Sequence, residues 1–173
     1  MSTGKLTVIW NLVTAPRKWY YRMLVRMRCA SCGKDLRVGG RTWVNRKTYL
    51  ADHVRTNGLR IDGDGTVRIG QYFHSGYDCL IITQNHNYDK GDAIPYDNTY
   101  VLKDVTIEDQ VWLGDRVIIL GGVTIGEGAI IQAGSVVTHD IPPLSIAGGH
   151  PAEVFKMRDR EHYERLKAEG KFH

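Results

Sequence analysis

From Val101 onward an aliphatic side chain returns every six positions: Val101, Ile107, Leu113, Ile119, Ile125, Ile131 and Val137. The position four residues later is again apolar or small: Val105, Val111, Val117, Val123, Ala129, Ser135 and Ile141. A six-residue step does not return to one face of a 3.6-residue helical turn, and a single strand alternates with period two. The period instead predicts short flat strands, each sending two side chains inward before the chain turns. Three such strands make one coil, so Val101, Ile119 and Val137 are expected in one ladder. Ile107 and Ile125 form a second, and Leu113 and Ile131 a third. Coils stack at the strand-pairing distance of about 4.8 Å, and each buried aliphatic contributes roughly 1.5–3 kcal/mol. Glycines at 114, 121, 122, 126, 128 and 134 fall where corners need a permissive backbone. The expected fold is mainly β, a parallel β-helix.

The frame runs backward less cleanly through Ile69, Ser75 and Ile81, and irregularly through Val38, Val44 and Leu50. Between Ile81 and Val101 the chain leaves register. The departing segment, 84–100, reads QNHNYDKGDAIPYDNTY and has no apolar period; a loop this long in a compact domain is functional or disordered, and its three tyrosines favour order. Pro16 to Arg28 reads as a helix with Tyr20, Leu24 and Met27 on one side and Arg22 and Arg26 opposite. Phe155 to Glu169 reads as a charged helix, with Glu161 four residues before Arg165. The expected organisation is an N-terminal helical segment at 1–35, a β-helix at 36–154 carrying loop 84–100, and a C-terminal helix at 155–173.

The 173 residues suit one domain, and with 42% hydrophobic and 24% charged residues they can build a core. No apolar run approaches the ~20 residues of a membrane span, and no signal peptide is read. The three cysteines fit a reducing cytoplasm. Cys29 and Cys32 have zinc-ligand spacing but no second pair, and are read as buried thiols. The net charge of +4 is uneven. Residues 1–34 hold Lys5, Arg17, Lys18, Arg22, Arg26, Arg28 and Lys34 and no acid, while the rest of the chain is slightly acidic. No nucleic-acid partner is expected. The basic helix, residues 14–28, admits two roles: contact with an anionic membrane surface, or a cap on the open end of the coil with its arginines in water, which is the simpler.

The stretch DVTIEDQVWLGDRVIILGGVTIGEGAIIQAGSVVTHDIPP, residues 104–143, with GGHPA at 148–152, resembles the hexapeptide-repeat acyltransferases. It is similar to their maltose, galactoside and lipopolysaccharide-sugar O-acetyltransferases. The likeness covers roughly residues 60–158. It implies a left-handed parallel β-helix, a homotrimer with its active site in the cleft between neighbours, acetyl-CoA as co-substrate, no metal, and a sugar or glycan-precursor acceptor.

On that resemblance His86 matches the family's general base, in the loop between coils. A sugar hydroxyl is a poor nucleophile at neutral pH, and a base that takes its proton supplies typically 10²–10⁴-fold; imidazole, with an ordinary pKa near 6.5, suits the task. Asn85 is a candidate for binding a substrate hydroxyl, or a turn former. Asp78 is a candidate for orienting the imidazole. Trp112 matches a tryptophan near the acetyl-CoA arm and the acceptor, with interface packing as its rival role. Ala133 and Thr138 match positions along the pantetheine. His139 stands where the family has Lys, and Glu153 where a basic residue is common, while Lys156 keeps a position often basic. Losing a charge-assisted hydrogen bond weakens coenzyme binding roughly 10- to 100-fold.

Alternatives on the same fold are an N-acetyltransferase of an amino sugar, a xenobiotic acetyltransferase, a non-catalytic scaffold, and a gamma-type carbonic anhydrase. The last needs closely spaced histidines, whereas those at 53, 74, 86, 139, 150, 162 and 173 are never nearer than 11 apart.

Overall fold

Three β-faces joined by corners make a prism, and the inward side chains of each face fill it. The structure is a computed structural model that describes the backbone of residues 3–173 and the side chains of residues 14–173. One face has five parallel strands in the order 31–32, 48–50, 67–69, 105–107, 124–125. The second has seven, stacking 37–38, 55–56, 74–75, 112–113, 130–131 and 145–149, with 152–157 added antiparallel at the end. The third has four: 59–62, 79–82, 118–119 and 136–137.

The ladders follow the six-residue frame. Leu50, Ile69, Ile107 and Ile125 stack on one face, Thr56, Ser75, Leu113, Ile131 and Ala147 on the next, and Ile61, Ile81, Ile119 and Val137 on the third. Ile81, Ile107, Leu113, Ile119, Ile125 and Ile131 are almost wholly buried. Outward positions alternate with these, so Trp112 is exposed beside buried Leu113. At the corners, carboxylates of one coil accept backbone N–H groups of the coil beneath. Asp52 takes Lys34 N, Asp109 takes Gln71 N, and Asp115 takes Tyr77 N, at 2.8–2.9 Å. These bonds satisfy donors that the short strands leave unpaired.

One ladder differs from expectation. Val101 is exposed and stands outside the column, because residues 100–102 pair antiparallel with 84–86. The rung beneath Ile119 is Ile81. The coil recloses where Lys103 N donates to Thr83 O at 2.8 Å, so the hairpin is an insertion at one corner.

Both ends also differ. Helix α1 is Thr3–Arg28, longer than the segment from Pro16, and Pro16 lies inside it. Val25 of α1 joins the hydrophobic core, and Arg28 stacks over Trp43 at 3.8 Å. The first coil strand is 31–32, ahead of the expected boundary at 36, because Ser31 and Cys32 pair with Tyr49 and Leu50. Helix α2 is Arg160–Ala168, while residues 155–157, expected as helix, complete the antiparallel strand 152–157. Asp159 caps α2 by accepting His162 N at 2.9 Å. Cys29 and Cys32 are half-buried and only Cys79 is buried. Burial pushes all three thiols up, Cys29 and Cys79 to about 11. Among the described residues no helix is long and apolar enough to cross a membrane.

Candidate active site

The hairpin arms 84–86 and 100–102 carry His86 opposite Tyr100 and Asn85 opposite Val101. The His86 ring stacks on Tyr96 with centroids 3.7 Å apart and planes within 14°. Tyr100 closes in at 4.8 Å, tilted by 38°. The imidazole is therefore held by aromatic contact on an arm projecting from the coil. His86 Nδ1 is buried and has no hydrogen-bond partner among the described residues. A buried polar atom left unpaired costs about 1–3 kcal/mol, a cost that a hydrogen-bond partner reaching Nδ1 would remove. Asn85, His86, Asn87, Tyr88, Val101 and Lys103 line a cavity of about 250 Å³.

The loop beyond the arms is tied by Asp97. Its carboxylate accepts Thr99 N at 2.8 Å, Thr99 Oγ1 at 2.5 Å and Asp92 N at 3.0 Å. The Thr99 hydroxyl, then the backbone N–H groups, hold the Asp97 carboxyl below the usual carboxylate range. Asn87 Nδ2 donates to Thr99 Oγ1 at 3.1 Å, fastening the other side.

The remaining candidates do not gather around His86 within one chain. Asp78 sits at the corner before strand 79–82 with φ of 54°. That strand separates it from the hairpin by four residues at about 3.3 Å each. Since Nδ1 is unpaired, Asp78 does not orient the imidazole in the single chain. Thr138 and His139 follow strand 136–137, at the corner that carries the hairpin, two coils beyond it or about 10 Å. Ala133 lies at the other end of that rung, against Gly114, where an added Cβ would come 2.5 Å from Ala133 N. Trp112 and Lys156 share the outside of the seven-stranded face, linked in register through Ile130 and Ile146.

Two departures from the family pattern face each other: His139 Nε2 lies 3.9 Å from Glu153 Oε2, and its Nδ1 lies 3.0 Å from Thr138 Oγ1. Arg158 is committed to structure, donating to Gly128 O at 2.9 Å and lying over the Tyr163 ring at 4.9 Å. Lys156 is left as the cation of this edge with no ion pair among the described residues. Beside Trp112, helix α2 and the C-terminal tail form a cavity of about 440 Å³ walled by His74, Tyr163, Lys167 and Phe172. Tyr163 lies 2.9 Å from Gln110 Oε1 and 3.0 Å from Glu127 Oε1. Burial, then the Glu127 hydrogen bond, pushes its phenol up.

Residues 98–139 match the bacterial transferase hexapeptide (six repeats) model. The structure superposes on a maltose O-acetyltransferase from Clostridium difficile 630 with a TM-score of 0.70 and 28% identity, covering 80% of this chain and 75% of that one. The chain carries the repeats and the fold of the hexapeptide-repeat acyltransferases. A hexapeptide-repeat acetyltransferase of Vibrio cholerae O1 biovar eltor, complexed with acetyl coenzyme A, gives a TM-score of 0.68 at 26% identity over 80% of this chain and 76% of that one. In sequence, a Staphylococcus aureus (strain Mu50) protein named as an acetyltransferase is 38% identical over 129 residues, 75% of this chain and 58% of that protein. Matches at 53% identity span only 57 residues and 28% of the relative's length.

Within this hexapeptide-repeat chain, sequence reasoning missed the aromatic clamp. The signal was present in Tyr96 and Tyr100, but only the hairpin register brings Tyr100 to His86, and only the fold of the loop brings Tyr96. It also missed that His139 and Glu153 are neighbours, which depends on the final strand turning back antiparallel.

Proposed function

We propose that this chain is an acetyl-CoA-dependent O-acetyltransferase acting on a hydroxyl of a sugar or glycan precursor, with His86 as general base. The observation that carries the reading is the imidazole stacked on Tyr96 and flanked by Tyr100, beside a cavity of about 250 Å³ that Asn85 and Lys103 also line. His86 takes the acceptor's hydroxyl proton as that oxygen forms its bond to the thioester carbonyl carbon. A backbone N–H of the coil stabilises the resulting oxyanion. Collapse breaks the C–S bond, and the imidazolium returns its proton to the departing sulfur, leaving an acetyl ester and the free thiol. Asn85, beside His86 in the same cavity, binds an acceptor hydroxyl.

The coenzyme's arm runs past Ala133 and Thr138 and its phosphates meet Lys156, aided by His139. Trp112 packs against the arm and the acceptor. These groups lie on different corners and faces of one prism, so a complete site takes His86 from one copy and the Trp112 wall from another, in a homotrimer. Asp78 then contributes, if at all, across the seam rather than to its own His86. The exposed side chains of α1 away from the coil, Met23 and Met27 beside Arg26, suit peripheral contact with an anionic membrane, at the cytoplasmic face where glycan precursors are assembled.

The test is thiol release from acetyl-CoA by the purified full chain with a panel of sugars, alongside sedimentation for the oligomer. Acceptor-dependent release that falls at least 100-fold in His86→Ala, with the trimer intact, supports the reading. Full activity in that variant, or a monomer that turns over, overturns it.

A further inference from the structure

A groove of about 610 Å³ runs between α1 and the lower coils of the seven-stranded face, lined by Lys18, Trp19 and Arg22 of the helix and by Arg37, Arg55 and His74 of the coil. Among the described residues no carboxylate lines it. Arg37 is engaged outside the groove by Asp35 at 3.2 Å. Arg55 is half-buried, and its Nε is shut from water with no hydrogen-bond partner among the described residues. Lys18, Arg22 and Arg55 have no ion pair there either. Residues 1–34 hold no acid at all. Like charges brought this close, one of them partly desolvated, raise the energy of the empty groove and lower that of any anion entering it.

The coil face is built in register: Arg37, Arg55, His74 and Trp112 follow one another on successive strands of the same outward row. Adjacent strands lie about 4.8 Å apart, so Arg55 and Arg37 stand roughly 10 and 14 Å from Trp112 along that row. His74, half-buried between Arg55 and Trp112, is held towards its neutral form by burial and then by the Arg55 charge. It can therefore accept or donate a hydrogen bond without adding a competing charge. Guanidinium groups bind phosphate oxygens bidentately, and two of them, Arg22 and Arg55, face the groove from opposite walls, one on the helix and one on the coil.

We infer that this groove is a binding site for a phosphoryl or diphosphoryl group, held by Arg55, Arg22 and Lys18, with Arg37 at its edge. The bound group is either part of a soluble phosphorylated compound or the headgroup of an anionic or diphosphate-linked lipid. The site stands independently of acetyl transfer, and its test needs no turnover.

Inorganic pyrophosphate is titrated into the full-length protein by calorimetry and by thermal unfolding, against sulfate and chloride at equal ionic strength. In parallel, sedimentation is measured with vesicles of phosphatidylglycerol and phosphatidylcholine, and of phosphatidylcholine alone. Saturable pyrophosphate binding that raises Tm, weakened roughly 10- to 100-fold in Arg55→Gln, supports the site with a soluble ligand. Binding to anionic vesicles alone, lost in Arg55→Gln, supports it with a lipid source. Arg55→Gln is expected to keep or raise the Tm of the free protein, because it removes an unpaired charge; a lower Tm would make Arg55 structural and overturn the inference. Lys18→Gln with Arg22→Gln, both on the helix, is the second variant and is expected to weaken binding at unchanged Tm. Absence of binding to both pyrophosphate and vesicles, binding that neither variant alters, or equal affinity for sulfate and chloride overturns it.

Discussion

Replacing Tyr96 by Ala tests whether the His86 ring is held by its aromatic neighbour or merely lies beside it. The stack has centroids 3.7 Å apart and near-parallel planes, and such pairs are worth about 0.5–1.5 kcal/mol beyond their burial. Tyr96 is 45% exposed, which keeps the loss in that range rather than in the larger range of a core truncation. If the stack selects the productive orientation of the imidazole, its removal lowers kcat by roughly 2- to 12-fold. The KM for acetyl-CoA is expected to stay unchanged, because the proposed coenzyme contacts, Ala133, Thr138 and Lys156, do not include Tyr96. Tyr96→Phe keeps the stacked ring and should remain within about twofold of the parent, since the contact is made by the ring. The loss expected in His86→Ala is larger, at least 100-fold, because on the proposed mechanism it removes proton transfer itself. The assay is steady-state thiol release with the best acceptor from the panel. A loss in Tyr96→Ala as deep as in His86→Ala, or a Tyr96→Phe as impaired as the alanine, would refute positioning by stacking and give the phenol a direct role.

Ile119→Ala is expected to destabilise the protein by about 2–5 kcal/mol, lowering Tm by roughly 4–20 °C, since Ile119 is fully buried between Ile81 and Val137. Val101→Ala, in the same six-residue frame but exposed, should move Tm by about 2 °C or less; equal shifts would show that the frame alone governs burial. Asp97, whose folded carboxyl lies below its ordinary value, stabilises the loop at pH above about 3.9, and that contribution is lost as pH falls through its lowered value. Asp97→Asn should therefore speed thermolysin cleavage within 87–99 at neutral pH while the coil stays uncut, and an unchanged cleavage rate would remove Asp97 from the loop's support. With Cys29 and Cys79 raised to about 11 and Cys32 raised as well, iodoacetamide at pH 7.5 should label the native protein far more slowly than the urea-unfolded chain. Rapid native labelling of any of the three, followed by mass spectrometry, would contradict their desolvation.

The column was legible because its physics is periodic: a buried aliphatic every six residues needs no tertiary information to be seen. The same periodicity misled at Val101. Tyr100, Val101 and Leu102 have the composition of a rung, but they pair with the hairpin arm instead of the coil, a choice made by the closure of Lys103 on Thr83. The worn early coils have a local cause as well. Leu50 to Ile69 and Thr56 to Ser75 each take one residue more than the regular coil, and Ile61 to Ile81 two. His86 was found through a family resemblance, not through spacing. Its clamp and the His139–Glu153 pairing were hidden because both depend on antiparallel returns that no repeat length encodes. The groove beside α1 was hidden for a related reason: it joins Arg55 to Lys18, 37 residues away in the chain.

At the corner where Thr83 O accepts Lys103 N, the coil passes from strand 79–82 to strand 105–107 as though residues 84–102 were absent. The hairpin is thus an appendage on the architecture, and on the proposed mechanism it carries the base. A gene could lengthen, trim or exchange that arm without renegotiating a single rung, because the shaft beneath it closes on its own.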